Sequence, residues 1–416
     1  MKKRSAMNTG RNGKKTSCCG TSSAGLGYIY RHSIVVVILA SLALLASCGR
    51  DGRLHPTDEN FPQITNERHA LSEDTTMGTL QLVNEADFLQ TKVYSIGALE
   101  GDHHEMIGSI NSMVITDSTL LYLDGENGEV RVYDHHGSLK QVVGSLGVGP
   151  GEFTHVKGMA ATGDAGQFFV ADQSGSRIQV FHKNAEDLYE LEHAFFTSGY
   201  GASDICVMGG HVYLSGYSED LDLVIHKLTY SGEYVTSFGQ PYLADNLFVR
   251  KILSDHGSLV CSEKNRIVAY ANVPVPVLKG YDEFGSLLWS VTFPDHSPMY
   301  MIETKRPSIL YPDQQAGEST FLLIATDAFS DAFVVSYNTA APPGNDGPGP
   351  ADEMTRHYFS VPVVSGEGVY LGSHYLGDTS QRRRIPHIMA WGKDYVYAKG
   401  LSFPKIDILD RSRIFK

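Results

Sequence analysis

The sequence predicts an all-β fold, a six-bladed β-propeller of four-stranded antiparallel blades, and three observations carry that prediction. Beyond residue 90 the chain runs in short apolar/polar alternations such as Leu120 to Leu123, Gln167 to Val170 and His211 to Leu214, with no stretch of 3.6-residue periodicity long enough for a helix. A strand ending in an aromatic or aliphatic residue, mostly followed by a turn residue, recurs six times, at Val132-Tyr133-Asp134, Val180-Phe181-His182, Thr229-Tyr230-Ser231, Gly280-Tyr281-Asp282, Ser336-Tyr337-Asn338 and Ile408-Leu409-Asp410. The closing apolar residues lie 48, 49, 51, 56 and 72 positions apart, a period that fits one multi-stranded blade per repeat. The 42 glycines, 22 tyrosines and 18 phenylalanines suit short strands joined by tight turns.

The 416 residues and 42% apolar content suffice for a buried core and argue against wholesale disorder. With 47 acidic residues against 34 basic ones the net charge is −13, which disfavours nucleic acid as a partner.

Residues 1 to 47 carry seven Lys or Arg and no acid, and they close on the apolar run Ile34 to Leu45. That run is shorter than the ~20 residues a spanning helix needs, so it reads as a signal peptide and not as a transmembrane anchor. Leu45-Ala46-Ser47-Cys48 resembles the lipobox of bacterial lipoproteins, which implies cleavage before Cys48 and lipidation of its thiol. The basic stretch before Arg31 is longer than delivery requires, so a start site further downstream is an alternative. Without residues 1 to 47 there remain 27 basic residues against 47 acidic ones, a net charge of −20. Such a body would not adhere to anionic lipid without an acyl anchor. Residues 48–84 are polar and irregular, as a tether between lipid and domain should be, and 85–416 form the propeller.

Within the propeller, three repeat copies continue through a glycine turn into another strand, at Gly137, Gly232 and Gly285, as adjacent strands of one blade would. The long last gap between copies holds the Pro/Gly-rich stretch Ala340 to Pro350, a surface insertion. The segments Tyr358 to Val364 and Gly368 to Leu371 fit either strands of the fifth and sixth blades or an extra blade, which leaves seven blades as the alternative count. Ring closure would pair Lys405 to Leu409 with Lys92 to Ile96 and so remove free sheet edges. Cys206 and Cys261 lie in apolar, strand-like surroundings and read as buried free thiols in preference to a bridge.

The most specific stretch is Gly144 to Phe153, followed by Gln167 to Asp172 and Arg177-Ile178-Gln179-Val180-Phe181. It resembles an NHL repeat: a glycine-rich inter-blade loop, a strand ending in Val-x-Asp, then Arg-Ile-x-Val-Phe. Leu121 to Asp124 and Val130 to Tyr133 carry a weaker copy. With His104 to Ile110 ahead of them and the lipobox, the chain is similar to TolB-like six-bladed propeller lipoproteins of Gram-negative bacteria. That resemblance implies a lipid-anchored binding or scaffold module for a protein or glycan in the cell envelope, at the outer membrane, facing the periplasm or the exterior. Because NHL-type propellers include lyases and sugar-lactone hydrolases, a metal-assisted enzyme with its site at the channel is the alternative.

Few residues point to chemistry. Gly147-Val148-Gly149-Pro150-Gly151 lacks the Lys-Ser/Thr ending of a phosphate loop and reads as an inter-blade turn, with Glu152 structural. Asp124 and Asp172 close equivalent strands, where a carboxylate accepts backbone N–H bonds of the following turn. The pairs His103-His104 and His135-His136 and the scattered His155, His211, His226, His256, His374 and His387 read as solvated loop histidines, though single residues on different blades can meet at a propeller axis. Arg382-Arg383-Arg384 reads as a solvated loop, while the Tyr300 to Tyr311 segment and the 340–350 insertion are the candidates for a partner-binding face. No nucleophile elbow, His-Glu-x-x-His or Cys-x-x-Cys occurs. No catalytic residue and no cofactor is assigned, any metal ligand is unknown, and Cys48 is the one site residue named.

Overall fold

The computed structural model describes residues 53–54, 82–83, 90–116, 119–197, 199–241, 247–255, 257–272, 277–292, 301–303, 310–312, 320–326, 332–339, 357–379, 387–400 and 403–414. The expected signal peptide and lipidation site Cys48, His256, the basic cluster 382–384 and the expected insertion 340–350 lie outside them. All described residues belong to one unit spanning Gly52–Lys416.

Blade 1 is built from Ser112–Ile115, Thr119–Asp124, Glu129–Asp134 and Leu139–Val143. Blade 2 follows with Gly158–Ala161, Gln167–Asp172, Arg177–Lys183 and Tyr189–Phe196. Blade 3 comprises Asp204–Met208, His211–Ser218, Leu223–Thr229 and Tyr234–Phe238. Blade 4 comprises Gly257–Ser262, Ile267–Asn272, Val277–Asp282 and Leu287–Thr292. In each the four strands pair antiparallel in chain order.

Blade 5 runs Thr320–Thr326, Phe333–Thr339, His357–Val364 and Tyr370–Thr379, with Leu82–Val83 added in parallel at its edge. Blade 6 has three strands from the end of the chain, His387–Trp391, Tyr395–Lys399 and Ile406–Asp410. Its fourth is Lys92–Ile96, paired through Ile406↔Ile96 and Asp407↔Ser95, the closure expected from the sequence. First strands of consecutive blades contact one another from blade 1 to blade 6, and blade 6 contacts blade 1 again. Six blades therefore complete the ring, and Tyr358 to Val364 with Gly368 to Leu371 make the outer hairpin of blade 5 instead of a seventh blade. One repeat copy is displaced: Ser336-Tyr337-Asn338 lies on the second strand of its blade, whereas the other five mark the third.

Two pieces of the stretch read as tether are strands, Leu82–Val83 on blade 5 and Arg53–Leu54, which pairs with Met301–Glu303 in a small sheet that also holds Leu310–Pro312.

The second strands explain the unbroken apolar runs. Leu121 and Leu123 pack toward blade 2 with Phe153, Phe168 and Val170, while Leu120 and Tyr122 between them pack toward blade 6 with Tyr397 and Ile408. The alternation repeats: Phe168 faces blade 1, and its neighbours Phe169 and Ala171 face Ile205 and Leu214 of blade 3. A strand sandwiched on both sides has no polar face to show, so the period-2 signal becomes a continuous apolar run. Stacked rings tighten the joint between blades 1 and 2, where Phe168 and Phe181 lie parallel with centroids 4.6 Å apart and Tyr189 meets Phe168 edge-on at 4.8 Å.

Cys206 and Cys261 form a disulfide, with 5.6 Å between their Cα atoms, and not the free thiols expected. The residues stand 55 positions apart, and that separation carries the chain from the first strand of one blade to the first strand of the next, where the two strands are neighbours.

Candidate functional site

The topology gives the propeller two unlike faces. Connections between blades and turns between second and third strands lie on one face; turns joining first to second and third to fourth strands lie on the other. The first of these faces carries the two cavities of interest.

The loops of that face are held by buried arginines. Arg177 donates from Nε to Asp172 Oδ1 at 2.9 Å and from Nη2 to Asp172 Oδ2 at 2.6 Å, and its remaining N–H groups reach the carbonyls of Val148, Gly149 and Glu152. Gln179 adds a bond to the Glu152 carbonyl and accepts one from Gly151 N. The glycine-rich loop is thus a structural turn clamped from below, and Glu152 closes it by accepting from Gly149 N at 2.8 Å. Arg131 performs the same task one blade earlier, donating to the carbonyls of His103, His104 and Met106 and to Glu129.

Asp124 behaves as the sequence predicts, accepting backbone N–H bonds from Glu126 and Asn127 in the turn and from Gly108 and Ser109 in the inter-blade loop. Burial opposes its ionisation, but these bonds and that from Tyr122 outweigh it and hold the carboxyl below its ordinary value. Asp172 departs from the expectation: its partners are the side chains of Arg177 and Gln179, because the turn after it is a short helical one at Gln173–Gly175 whose cap bond runs backbone to backbone.

The first cavity, about 460 Å³, lies between blades 2 and 3 and is lined by Ser174, Ser176, Thr197, Gly199 to Ser203, Tyr217 and Lys157. Its far wall is the helix Leu247–Asp255, inserted ahead of blade 4, which contributes Lys251 and Asp255. Asp255 accepts from Tyr217 N at 2.8 Å and stands 4.0 Å from Lys251 Nζ. The second cavity, about 400 Å³, lies between blades 1 and 2 and is lined by Ser109, Asn111, Gly125, Glu126, His155 and Val156. Both cavities also include Lys157 and Ser174, so they adjoin.

Near the point where they meet, at Ser174, the backbone takes a costly conformation. His155, Gln173 and Ser174, at φ of 52°, 46° and 59°, are three of the seven left-handed residues other than glycine among those described. The strand ends force it: Ser174 N donates to His155 O at 3.0 Å and Gln173 N to Thr154 O at 2.8 Å, which ties the turn of blade 2 to the loop entering it. Such strain concentrates at binding sites.

The histidines scatter as far as they are described. His103 donates from Nε2 to Glu129 Oε1 at 2.7 Å, and His135 and His136 occupy the turn before Gly137. His211 pairs with the carbonyl of Gly209, and His155 edges the second cavity. His226 corrects the solvated-loop reading, being wholly buried on the third strand of blade 3 between Gly216 O at 2.8 Å and Ser237 Oγ at 2.7 Å. Burial lowers its pKa to about 4, and Tyr200, which lines the first cavity, stacks on it with centroids 3.7 Å apart. His374 and His387 lie on strands of blades 5 and 6. Among the described residues no three His, Cys, Asp or Glu side chains come together to hold a metal ion. Of the proposed partner-binding segment, Met301–Glu303 and Leu310–Pro312 form a hairpin in the small sheet. The sequence does not mark the cavities, because the Ser, Thr and Gly residues of 197–203 carry no motif.

A family model for DUF5128, described as a 6-bladed beta-propeller, matches residues 75–219. No curated protein matches the chain. Among solved structures, a DUF4221-family member from Bacteroides vulgatus is 12% identical over 77% of this chain and 98% of its own, with a TM-score of 0.50. Hydrazine synthase of Kuenenia stuttgartiensis is 12% identical over 73% of this chain and 77% of that one, at a TM-score of 0.43. The beta-propeller domain of Cps50 (Swd1) from Myceliophteria thermophila is 9% identical over 76% and 99%, at 0.44. At these identities the first likeness shows the fold alone.

Proposed function

We propose that the protein is a lipid-anchored propeller of the cell envelope, of the NHL-type, TolB-like kind, which acts as a non-enzymatic binding or scaffold module for a protein or glycan. One observation carries this reading: two adjoining open cavities, meeting at left-handed backbone, occupy the face where the inter-blade loops gather. Their lining has no nucleophile–base pair and no convergent set of metal ligands among the described residues, so the arrangement favours holding a ligand over transforming one. The anchor is Cys48, whose thiol takes a diacylglycerol before the signal peptide is cleaved, and the lipidated protein resides at the outer membrane. The Cys206–Cys261 bridge supports the envelope, because disulfides persist in oxidising compartments.

The anchor is tested by growing cells with an alkyne-bearing fatty acid and fractionating them. Wild-type protein is expected to carry the label in the outer-membrane fraction and Cys48→Ser to lose it. Unlabelled wild-type protein in the soluble fraction would refute the anchor. Binding is tested by placing a photo-crosslinking residue at Ser176, on the cavity face, and at Phe284, on the opposite face. Adducts confined to the Ser176 position are expected, and adducts from Phe284 alone would refute the choice of face.

A further inference from the structure

Resting on that reading of the protein as a binding module, we infer that the groove joined at Lys157 takes an anionic saccharide, with the negative substituent on Lys157 and the sugar rings in the two cavities. Lys157 stands just before the first strand of blade 2, is exposed, and has no ion-pair partner among the described residues. The other charges of the first cavity satisfy one another: Lys251 lies 4.0 Å from Asp255 and 3.9 Å from Glu219. Lys157 is therefore left as a cation without an ion pair at the junction; on its blade 1 side the second cavity is also lined by His155 and by the Glu126 carboxylate, likewise unpaired among the described residues, so the anionic substituent sits on the Lys157 side, away from Glu126. In a body of charge −20 a bare lysine between two cavities is a local exception, and an anionic group is what completes it.

The rest of the lining selects a sugar. The hydroxyls of Ser174 and Ser203 have no protein partner among the described residues, and a hydroxyl both donates and accepts, as the hydroxyls of a sugar do. Tyr200, backed by the buried His226 ring, offers a fixed aromatic surface to the C–H face of a pyranose. Among the described residues Val156 and Ala202 are the only aliphatic side chains in the two linings, which offers little to a protein partner's apolar anchor. Each cavity lies within the size range of small-molecule sites, and together they suit an oligosaccharide better than a single ring.

The experiment is calorimetric titration of the full-length protein in detergent with trigalacturonate, with its methyl ester, and with a sulfated trisaccharide of the same length. At least one anionic trisaccharide is expected to bind, the two distinguishing carboxylate from sulfate, while the uncharged ester binds about tenfold more weakly or worse. Lys157→Gln is expected to reduce wild-type affinity to the level of the ester and to remove its salt dependence, with the unfolding midpoint unchanged because the side chain is exposed. Lys251→Gln is expected to have a smaller effect, since its charge is already shared. Failure of both anionic trisaccharides at millimolar concentration overturns the inference, as does binding that Lys157→Gln leaves intact or equal binding of the ester. The crosslinking arm separates the two readings: a protein adduct at Ser176 without saccharide binding overturns the ligand class and leaves the binding module standing. No adduct and no saccharide binding overturn both.

Discussion

Arg177 shows how one side chain can hold a face together: three of its bonds reach the loop carbonyls of Val148, Gly149 and Glu152, and two buried ones reach the Asp172 carboxylate on the neighbouring strand. Replacing it by Met leaves Asp172 buried without its cation. The expected loss is about 3–5 kcal/mol in urea unfolding, and a loss below about 1 kcal/mol would show that Gln179 alone satisfies the carboxylate. One buried and one partly buried group oppose each other in the response to acid. His226 ordinarily titrates at 6.5 and here near 4, so below pH 6.5 the unfolded chain takes up a proton that the folded chain refuses. Stability from this group falls as pH drops from 6.5 to 4, by about 3 kcal/mol at most. Asp204, enclosed against Ser258 and Leu259 of blade 4, runs the other way: burial raises it from 3.8 to about 6, so folding is favoured as pH falls through that window, by about 3 kcal/mol. The two nearly cancel in the native protein. Asp204→Asn should therefore expose a steep loss of stability between pH 6.5 and 4, measured by urea unfolding at a series of pH values, and an unchanged pH profile would refute the opposition. At this scale the sequence marked Asp124, Asp172 and the Arg-Ile-x-Val-Phe strand as structural. It gave no sign of the Asp204 shift or of the burial of His226, because a single polar residue on an apolar strand can face either solvent or a neighbouring blade, and only the packing of that blade decides which.

Blades are stabilised chiefly where their faces stack. Phe168 contributes to that joint from a fully buried position, with rings of Phe181 and Tyr189 against it. Phe168→Ala is expected to cost about 3–5 kcal/mol, read as a shift in the denaturation midpoint at constant slope. The bridge between blades 3 and 4 acts on the unfolded chain instead, closing a loop of 55 residues. Chain entropy puts its contribution at about 4 kcal/mol. A Cys206→Ala/Cys261→Ala variant, or the wild type under reductant, should unfold earlier by that amount, and coincident curves would show that the bridge does not form in solution. Between blades 2 and 3 the approach is close at Gly175, at φ +81°, where an added Cβ would collide with the backbone of Ala202. The bridge escaped the sequence because two lone cysteines one blade apart are neighbours only if their strands hold the same radial position.

Closure is a property of the whole ring. Lys92–Ile96 buries little beyond Ile96, yet it covers the edge of Ile406–Asp410, and Ser95 Oγ donates to Asp407. Removing residues 1–97 should leave that edge open and promote association, seen as oligomers in size-exclusion chromatography, while removing 1–80, which keeps Leu82–Val83 on blade 5, should leave a monomer. Monomeric behaviour of the shorter chain would mean that blade 6 holds without its fourth strand.

The sequence by itself determined the all-β class, the propeller period, the six repeats, the closing pair of strands and the structural role of the glycine-rich loop. Those features depend on local alternation and turn chemistry, which each segment carries within itself. Tertiary structure decided the completion of the ring at six, the phase of blade 5, the disulfide, the burial of His226, the shift of Asp204, and the groove around Lys157. Each of these depends on which blade lies next to which, and neighbours separated by about fifty residues leave no mark on the local pattern of either one.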